Sequence, residues 1–245
     1  MVLQIMTNNH EGILWVASFD IGKKNFSFYI EEFDLDALRQ VKNINKNNRY
    51  NIDGTTTSQF ENILQNIYTN GSRVLLENLD LTENCDKKAY LDPETYHNMT
   101  DKLDEYANFW DQCDIFVIEK QMSFGKKHNT MALKLGQHCY SYFAIRYRRD
   151  KLIIEFPAYY KTQVLGAEKD QKITKGGKIT YKAVDKPARK KWSVDKAINI
   201  LTDRDDQTSL TQINGTRKKD DLADVICQLQ AYKYLFFIDD IKFSY

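Results

Sequence analysis

The sequence predicts an α/β protein, a mixed central sheet flanked by helices, on three observations. Residues 14–19 (LWVASF) and 115–118 (IFVI) are apolar runs of high β-propensity, each followed at once by an acid, Asp20 and Glu119. Such runs suit strands buried on both faces in the middle of a mixed or parallel sheet. A third run, LIIEF at 152–156, has the same character. Between and after them, Phe60, Ile63, Leu64 and Ile67, and later Leu222, Val225, Ile226 and Leu229, recur with helical spacing.

Taken in order, residues 14–22 form the first strand, with Gly22 able to turn the chain two places after Asp20. Residues 23–34 (KKNFSFYIEEFD) alternate polar and aromatic side chains and predict a second strand antiparallel to it. Residues 35–54, rich in Asn and Lys, read as loop with a short helix near 35–41 as the alternative. A helix follows over 58–68, with Gly71 as its stop. Residues 73–79 are too short to assign, and 84–93 read as surface loop. Tyr96, Met99, Leu103, Tyr106, Phe109 and Trp110 predict one helix over 93–113 with one apolar face. After the 114–121 strand come a polar, basic loop (SFGKKHNT) and a helix over 130–149 whose basic end suits a helix C-terminus. Pro157 stops the third strand and opens a short helix over 157–165.

Residues 166–191 break the pattern. They hold nine Lys or Arg against three acids, the Gly176–Gly177 pair and few large apolar residues, and they predict a mobile basic insertion. A short helix at 192–201, a polar loop at 202–215 and a strong final helix at 218–237 complete the chain. Three prolines and ten glycines leave little for a linker. The expectation is therefore one domain over 12–238 with insertions at about 35–92 and 166–191.

Composition excludes several classes. A hydrophobic content of 42% belongs to a folded chain. Cys85, Cys113, Cys139 and Cys227 form no CxxC pair, which disfavours zinc and suits thiols in a reducing compartment. The start has neither a signal-peptide nor an Arg-rich transit pattern, and no uncharged stretch is long enough for a membrane span. The expectation is a cytoplasmic protein without membrane partners, with nucleus and mitochondrion left open. The net charge of +1 hides a division. Residues 77–119 carry twelve acids against three lysines, whereas 120–191 carry eighteen Lys or Arg against five acids. The basic half suits a phosphate-rich partner. A solvated basic face would have the same composition.

The acids carry the chemistry. A carboxylate at the end of a core strand needs a cation, a metal or a donor, unless Asp20 simply opens a turn. Glu119 repeats the design, which makes the turn reading harder to sustain. In KKDDLADVICQ, Asp221 and Asp224 are three apart and share one helix face, as do Asp220 and Asp224 at four apart. First-turn acids are also explained by the helix dipole, although Asp224 lies beside the apolar stripe. Carboxylates brought to one point raise each other's pKa unless cations neutralise them, and hard divalent ions such as Mg²⁺ or Mn²⁺ fit an all-oxygen set. Two such ions would stabilise the attacking and leaving oxygens of phosphodiester hydrolysis.

DIGKKNFSFYI, VIEKQMSFGKKHNT, FPAYYKTQVLG and KKDDLADVICQ, in that order, resemble the Holliday junction resolvases of the RuvC-like group. The likeness is greatest to those of large cytoplasmic DNA viruses such as poxviruses, with the fungal mitochondrial enzymes next. The resemblance implies an RNase H-like fold and a two-metal centre on Asp20, Glu119, Asp221 and Asp224, with Asp220 able to replace Asp221. It implies that Lys161 contacts the scissile phosphate or stabilises transition-state charge, and that Lys126, Lys127 and His128 contact the DNA backbone. It also implies a homodimer that nicks four-way or branched DNA symmetrically and leaves 5′-phosphate ends. The expanded 35–92 and 166–191 segments depart from the bacterial pattern. An RNase H-type nuclease of the same fold and a non-catalytic junction-binding protein are the competing readings.

Overall fold

A computed structural model describes residues 12–86, 88–121 and 129–243. Its elements in chain order are β1 (Ile13–Asp20), β2 (Phe26–Asp34), α1 (Leu35–Arg39), α2 (Ser58–Thr69), β3 (Ser72–Leu79), α3 (Glu94–Glu105), α4 (Ala107–Gln112) and β4 (Ile115–Lys120). They continue as α5 (Thr130–Tyr147), β5 (Leu152–Pro157), α6 (Tyr159–Val164), β6 (Lys169–Ile173), β7 (Ile179–Ala183), α7 (Lys186–Asp203), α8 (Gln207–Gly215) and α9 (Lys219–Lys233). The described residues divide into two compact units, one drawn from those within 12–35, 72–158 and 243, the other from 36–71 and 159–242.

The first unit is built on a five-stranded sheet of order β3-β2-β1-β4-β5. Strand β2 pairs antiparallel with both β1 and β3, whereas β4 pairs parallel with both β1 and β5. The sheet is mixed, as the buried apolar runs require. The unassigned 73–79 stretch is its edge strand, β3. One sheet face presents Ala17, Phe19, Phe28, Phe116 and Ile118 to Met99, Leu103, Trp110, Leu135, Cys139 and Phe143, all buried. Phe116 stacks on Phe143 with ring centroids 4.0 Å apart. Burial of each such ring contributes roughly 1.5–3 kcal/mol.

The predicted 93–113 helix is two helices. The chain leaves helical geometry at Tyr106 (φ −97, ψ 13), and the Trp110 indole N–H donates to the Leu103 carbonyl at 2.7 Å. A continuous helix would have used that carbonyl for residue 107, so the break lets Trp110 fold into the core with its polar atom satisfied.

In the second unit, α9 packs on α2, α6, α7 and α8. Leu222, Ala223 and every residue from 225 to 233 are buried, the pattern of a helix enclosed on most sides. Among them is Lys233, whose Nζ donates to the carbonyls of Ile67 at 2.9 Å and Asn70 at 2.6 Å. Arg204 Nε donates to the Tyr68 carbonyl. Together they satisfy orphan carbonyls at the end of α2, where a cation also suits the helix dipole. Arg49 forks onto Asp239 at 2.6 and 3.1 Å, both side chains 8% exposed.

Two stretches of this unit carry more regular structure than their composition suggests. Residues 166–191, expected as a mobile basic insertion, contain the antiparallel hairpin β6–β7 and the first residues of α7, which begins at Lys186 with Asp185 as its cap. The polar stretch 202–215 contains helix α8, capped by Asp206, whose side chain accepts from Ser209 N at 3.0 Å. Both strands and α8 are short of apolar residues, and cap and turn chemistry define them instead.

Candidate active site

Each unit carries part of the acidic constellation. In the first, Asp20 is the last residue of β1, inside the strand ladder and paired with Ser27, so the turn reading is set aside. The parallel register pairs Phe19 with Ile118, which puts Asp20 and Glu119 side by side one step further at the carboxyl ends of β1 and β4. Strand alternation turns both away from the Phe19–Phe116 layer. Both are half-buried. The carboxyl ends of parallel strands are where open α/β sheets present functional groups, and two acids there carry like charge on adjacent strands.

In the second unit the N-terminal turns of α9 present Asp220, Asp221 and Asp224. The Asp224 carboxylate is held by two partners, Lys161 Nζ at 2.9 Å and Ser193 Oγ at 2.6 Å. Lys161 comes from α6 and is itself buried. Asp220 pairs with Lys190 of α7. Burial works to raise the Asp220 pKa, but the hydrogen bond and charge of Lys190 win and hold it below the usual value.

Asp221 differs from both. Its Oδ2 is buried without a hydrogen-bond partner. Burial first, then the neighbouring Asp220 charge, push its carboxyl up to about 6, with Lys190 and Lys218 opposing. An orphaned, partly buried carboxylate oxygen is costly. Ammonium groups pair directly with its neighbours Asp220 and Asp224, whereas among the described residues no donor reaches Asp221 Oδ2. This donor chemistry, carboxylates only, fits a hard divalent cation at Asp221. Among the described residues, no cluster of three or more His, Cys, Asp or Glu is gathered for metal ligation.

The structure thus sets Asp20 beside Glu119, and Asp221 with Asp220, Asp224 and Lys161. Lys126, Lys127 and His128 lie outside the described residues. Lys190 and Ser193, three apart on α7, are additions. Their partners are 30 and 31 residues away in sequence, a relation no local pattern carries.

Over 239 residues the chain is 35% identical to uncharacterized protein 170L of Invertebrate iridescent virus 6, covering 92% of this chain and 91% of the other. The chain belongs to that iridescent-virus family. Uncharacterized protein 97L of Invertebrate iridescent virus 3 extends it, 31% identical over 226 residues, or 89% of this chain and 98% of its own. No family model matches the sequence. Among solved structures, the yeast mitochondrial Holliday junction resolvase Ydc2 aligns over 98% of this iridescent-virus family member and 86% of its own chain, with TM-score 0.53 and 13% identity. The fowlpox virus Holliday junction resolvase covers 91% of this chain and 99% of its own at TM-score 0.49 and 16% identity. The fold identification rests on the yeast protein: this family member has the RNase H-like fold of the RuvC-like resolvases.

Among the described residues, no helix is long and apolar enough to cross a membrane.

Proposed function

We propose that this protein is a Holliday junction resolvase, a metal-dependent endonuclease that nicks four-way and branched DNA. One observation carries the reading. A chain with the fold of a mitochondrial Holliday junction resolvase bears acids at two parallel-strand ends and an acid–lysine cluster on its last helix. In this reading Asp20, Glu119, Asp221 and Asp224 serve one centre holding Mg²⁺, or Mn²⁺ in its place, two ions per site.

Bound there, the ions would supply an activated water and charge stabilisation for the leaving oxygen. The side chains do the rest. With a cation bound, Asp221 would be held ionised against the effect of burial. Ser193 would keep Asp224 oriented through its hydroxyl, and Lys161 would offer its ammonium to the scissile phosphate, where charge builds in the transition state. Cleavage leaves a 5′-phosphate and a 3′-hydroxyl. A homodimer would set two such centres on one junction and make the nicks symmetric. Lys126, Lys127 and His128 would add backbone contacts.

The test is cleavage of a labelled immobile four-way junction with Mg²⁺, beside linear duplex and an RNA–DNA hybrid, for wild type and Glu119→Gln. Paired symmetric nicks in the junction alone, lost in the variant while binding persists, are expected. Cutting of the hybrid would move the protein to the RNase H type. Junction binding without cleavage under Mg²⁺ or Mn²⁺ would leave a binding protein and overturn the catalytic assignments.

A further inference from the structure

The β6–β7 hairpin is the one described sheet with little packing of its own. Every residue of β6 is exposed, as are Ile179, Lys182 and Ala183 of β7. An isolated two-stranded hairpin is marginal in water, so its fixed points matter. At the base, Lys169 N donates to the Asp53 carbonyl at 2.8 Å, and the Lys169 stem lies on Gly54. A Cβ at Gly54, which has φ +88, would meet Lys169 Cε at 2.9 Å. At the tip, Thr174 exchanges backbone bonds with Gly177 and Lys178, both 2.9 Å, and Gly177 adopts φ +76. The ribbon is anchored and closed by specific turn chemistry, unlike a solvated linker.

Its two faces differ. The register sets Ile173 opposite Ile179, 70% and 52% exposed, and alternation adds Gln171 and Tyr181 to that face. Lys172 and Lys182 share the other face with Asp170 and Thr180, and Lys175 and Lys178 lie in the turn. From 169 to 183 there are five lysines and one acid. Lysines on exposed edges can serve only to keep strands from pairing. That role does not account for an exposed isoleucine pair at the tip.

We infer that the β6–β7 hairpin is an arm that grips duplex DNA. Lys172, Lys175, Lys178 and Lys182 contact backbone phosphates, and the Ile173–Ile179 pair is an apolar wedge set against a base step beside the branch point. This rests on the reading of the protein as acting on branched DNA. A two-stranded ribbon fits a DNA groove. Isoleucine is among the side chains that wedge between base steps. The charge of the ribbon complements phosphate and opposes the alternative occupant, the same ribbon of a second copy, because two such arms repel.

The experiment is fluorescence anisotropy of the full chain, in EDTA so that nothing is cut, against a four-way junction and a linear duplex between 50 and 200 mM salt. In the Lys172→Ala/Lys175→Ala/Lys178→Ala/Lys182→Ala variant, the slope of log affinity against log salt should be shallower by about 3.6 on both DNAs. Over that fourfold salt range the difference amounts to roughly 150-fold in affinity loss. Ile173→Ser/Ile179→Ser should keep the slope but lose the fluorescence rise of 2-aminopurine placed at the branch. Circular dichroism melts establish that both variants fold. An unchanged slope in the lysine variant overturns the arm. So does sedimentation in which the isoleucine variant turns a dimer into monomers with the 2-aminopurine response intact. If wild type binds through the arm and cuts nothing with metal, the nuclease reading fails and the arm stands. An unchanged slope with normal cleavage sinks the arm alone.

Discussion

Asn in place of Asp221 keeps the side chain's shape and removes a charge that Lys190 and Lys218 offset only in part. The folded carboxyl titrates at about 6 against an ordinary 3.8, a difference of about 3 kcal/mol at full weight. Water reaches a half-buried group, so about half of that, ~1.5 kcal/mol, is expected. The unfolded chain ionises first as pH rises. The folded state therefore loses stability progressively between about pH 4 and pH 6, and carries the whole cost above that window. Asp221→Asn should accordingly be more stable than wild type by about 1.5 kcal/mol at pH 8, and nearly equal to it at pH 3.5, where Asp221 is neutral in both states. Urea titrations of the metal-free protein at the two pH values read this as a shift in midpoint at constant slope. Equal stabilities at pH 8, or the same gain at both pH values, would refute the argument. Added Mg²⁺ should stabilise wild type by about 2.7 kcal/mol at a hundredfold excess over its dissociation constant, and the variant by much less.

Other outcomes follow from the same contacts. Lys161→Met should cut junction cleavage by about 10²–10³-fold, with the affinity for uncut junction in EDTA changed less than threefold; an equal loss in both would make Lys161 a general DNA contact. Arg49→Met takes the guanidinium from the Phe60 and Tyr234 rings and leaves the buried Asp239 carboxylate with Asn43 in place of its ion pair, and should lower stability by about 3 kcal/mol, read by urea midpoint. Phe143→Ala opens the stacked layer against Phe116 and Trp110 and should cost about 3–5 kcal/mol. A variant as stable as wild type would mean that the layer collapses around the gap.

Much of the sheet is legible in the sequence because its signals are local. The apolar run of β1 reads as a strand at sight, and Asp20 and Glu119 stand out because acids rarely follow such runs. Strand β3 does not, because SRVLLENL mixes apolar and polar residues as an edge strand can. The hairpin escapes because its lysines mask a period-2 signal at Ile173, Ile179 and Tyr181 around Gly176–Gly177. Helix α8 escapes because Asp206 and Ser209 define its start rather than an apolar stripe. On the helix side of the candidate site the acids are legible and their partners are not: nothing near Lys190 or Ser193 in the chain announces that each meets an aspartate a helix away.

The register of β1 has a consequence in time. Asp20 emerges early in synthesis, but Glu119 can stand beside it only after the chain has grown about a hundred residues further and β4 has docked in parallel. The aspartates of α9 follow after another hundred. At ribosomal rates of roughly 5–20 residues per second, on the order of ten seconds separate the emergence of Asp20 from that of Asp221. A prematurely terminated product ending before α9 would keep the strand-end pair yet lack Asp221 and Asp224. If the proposed nuclease needs both sets of acids, a chain cut short before α9 would be unable to cleave DNA.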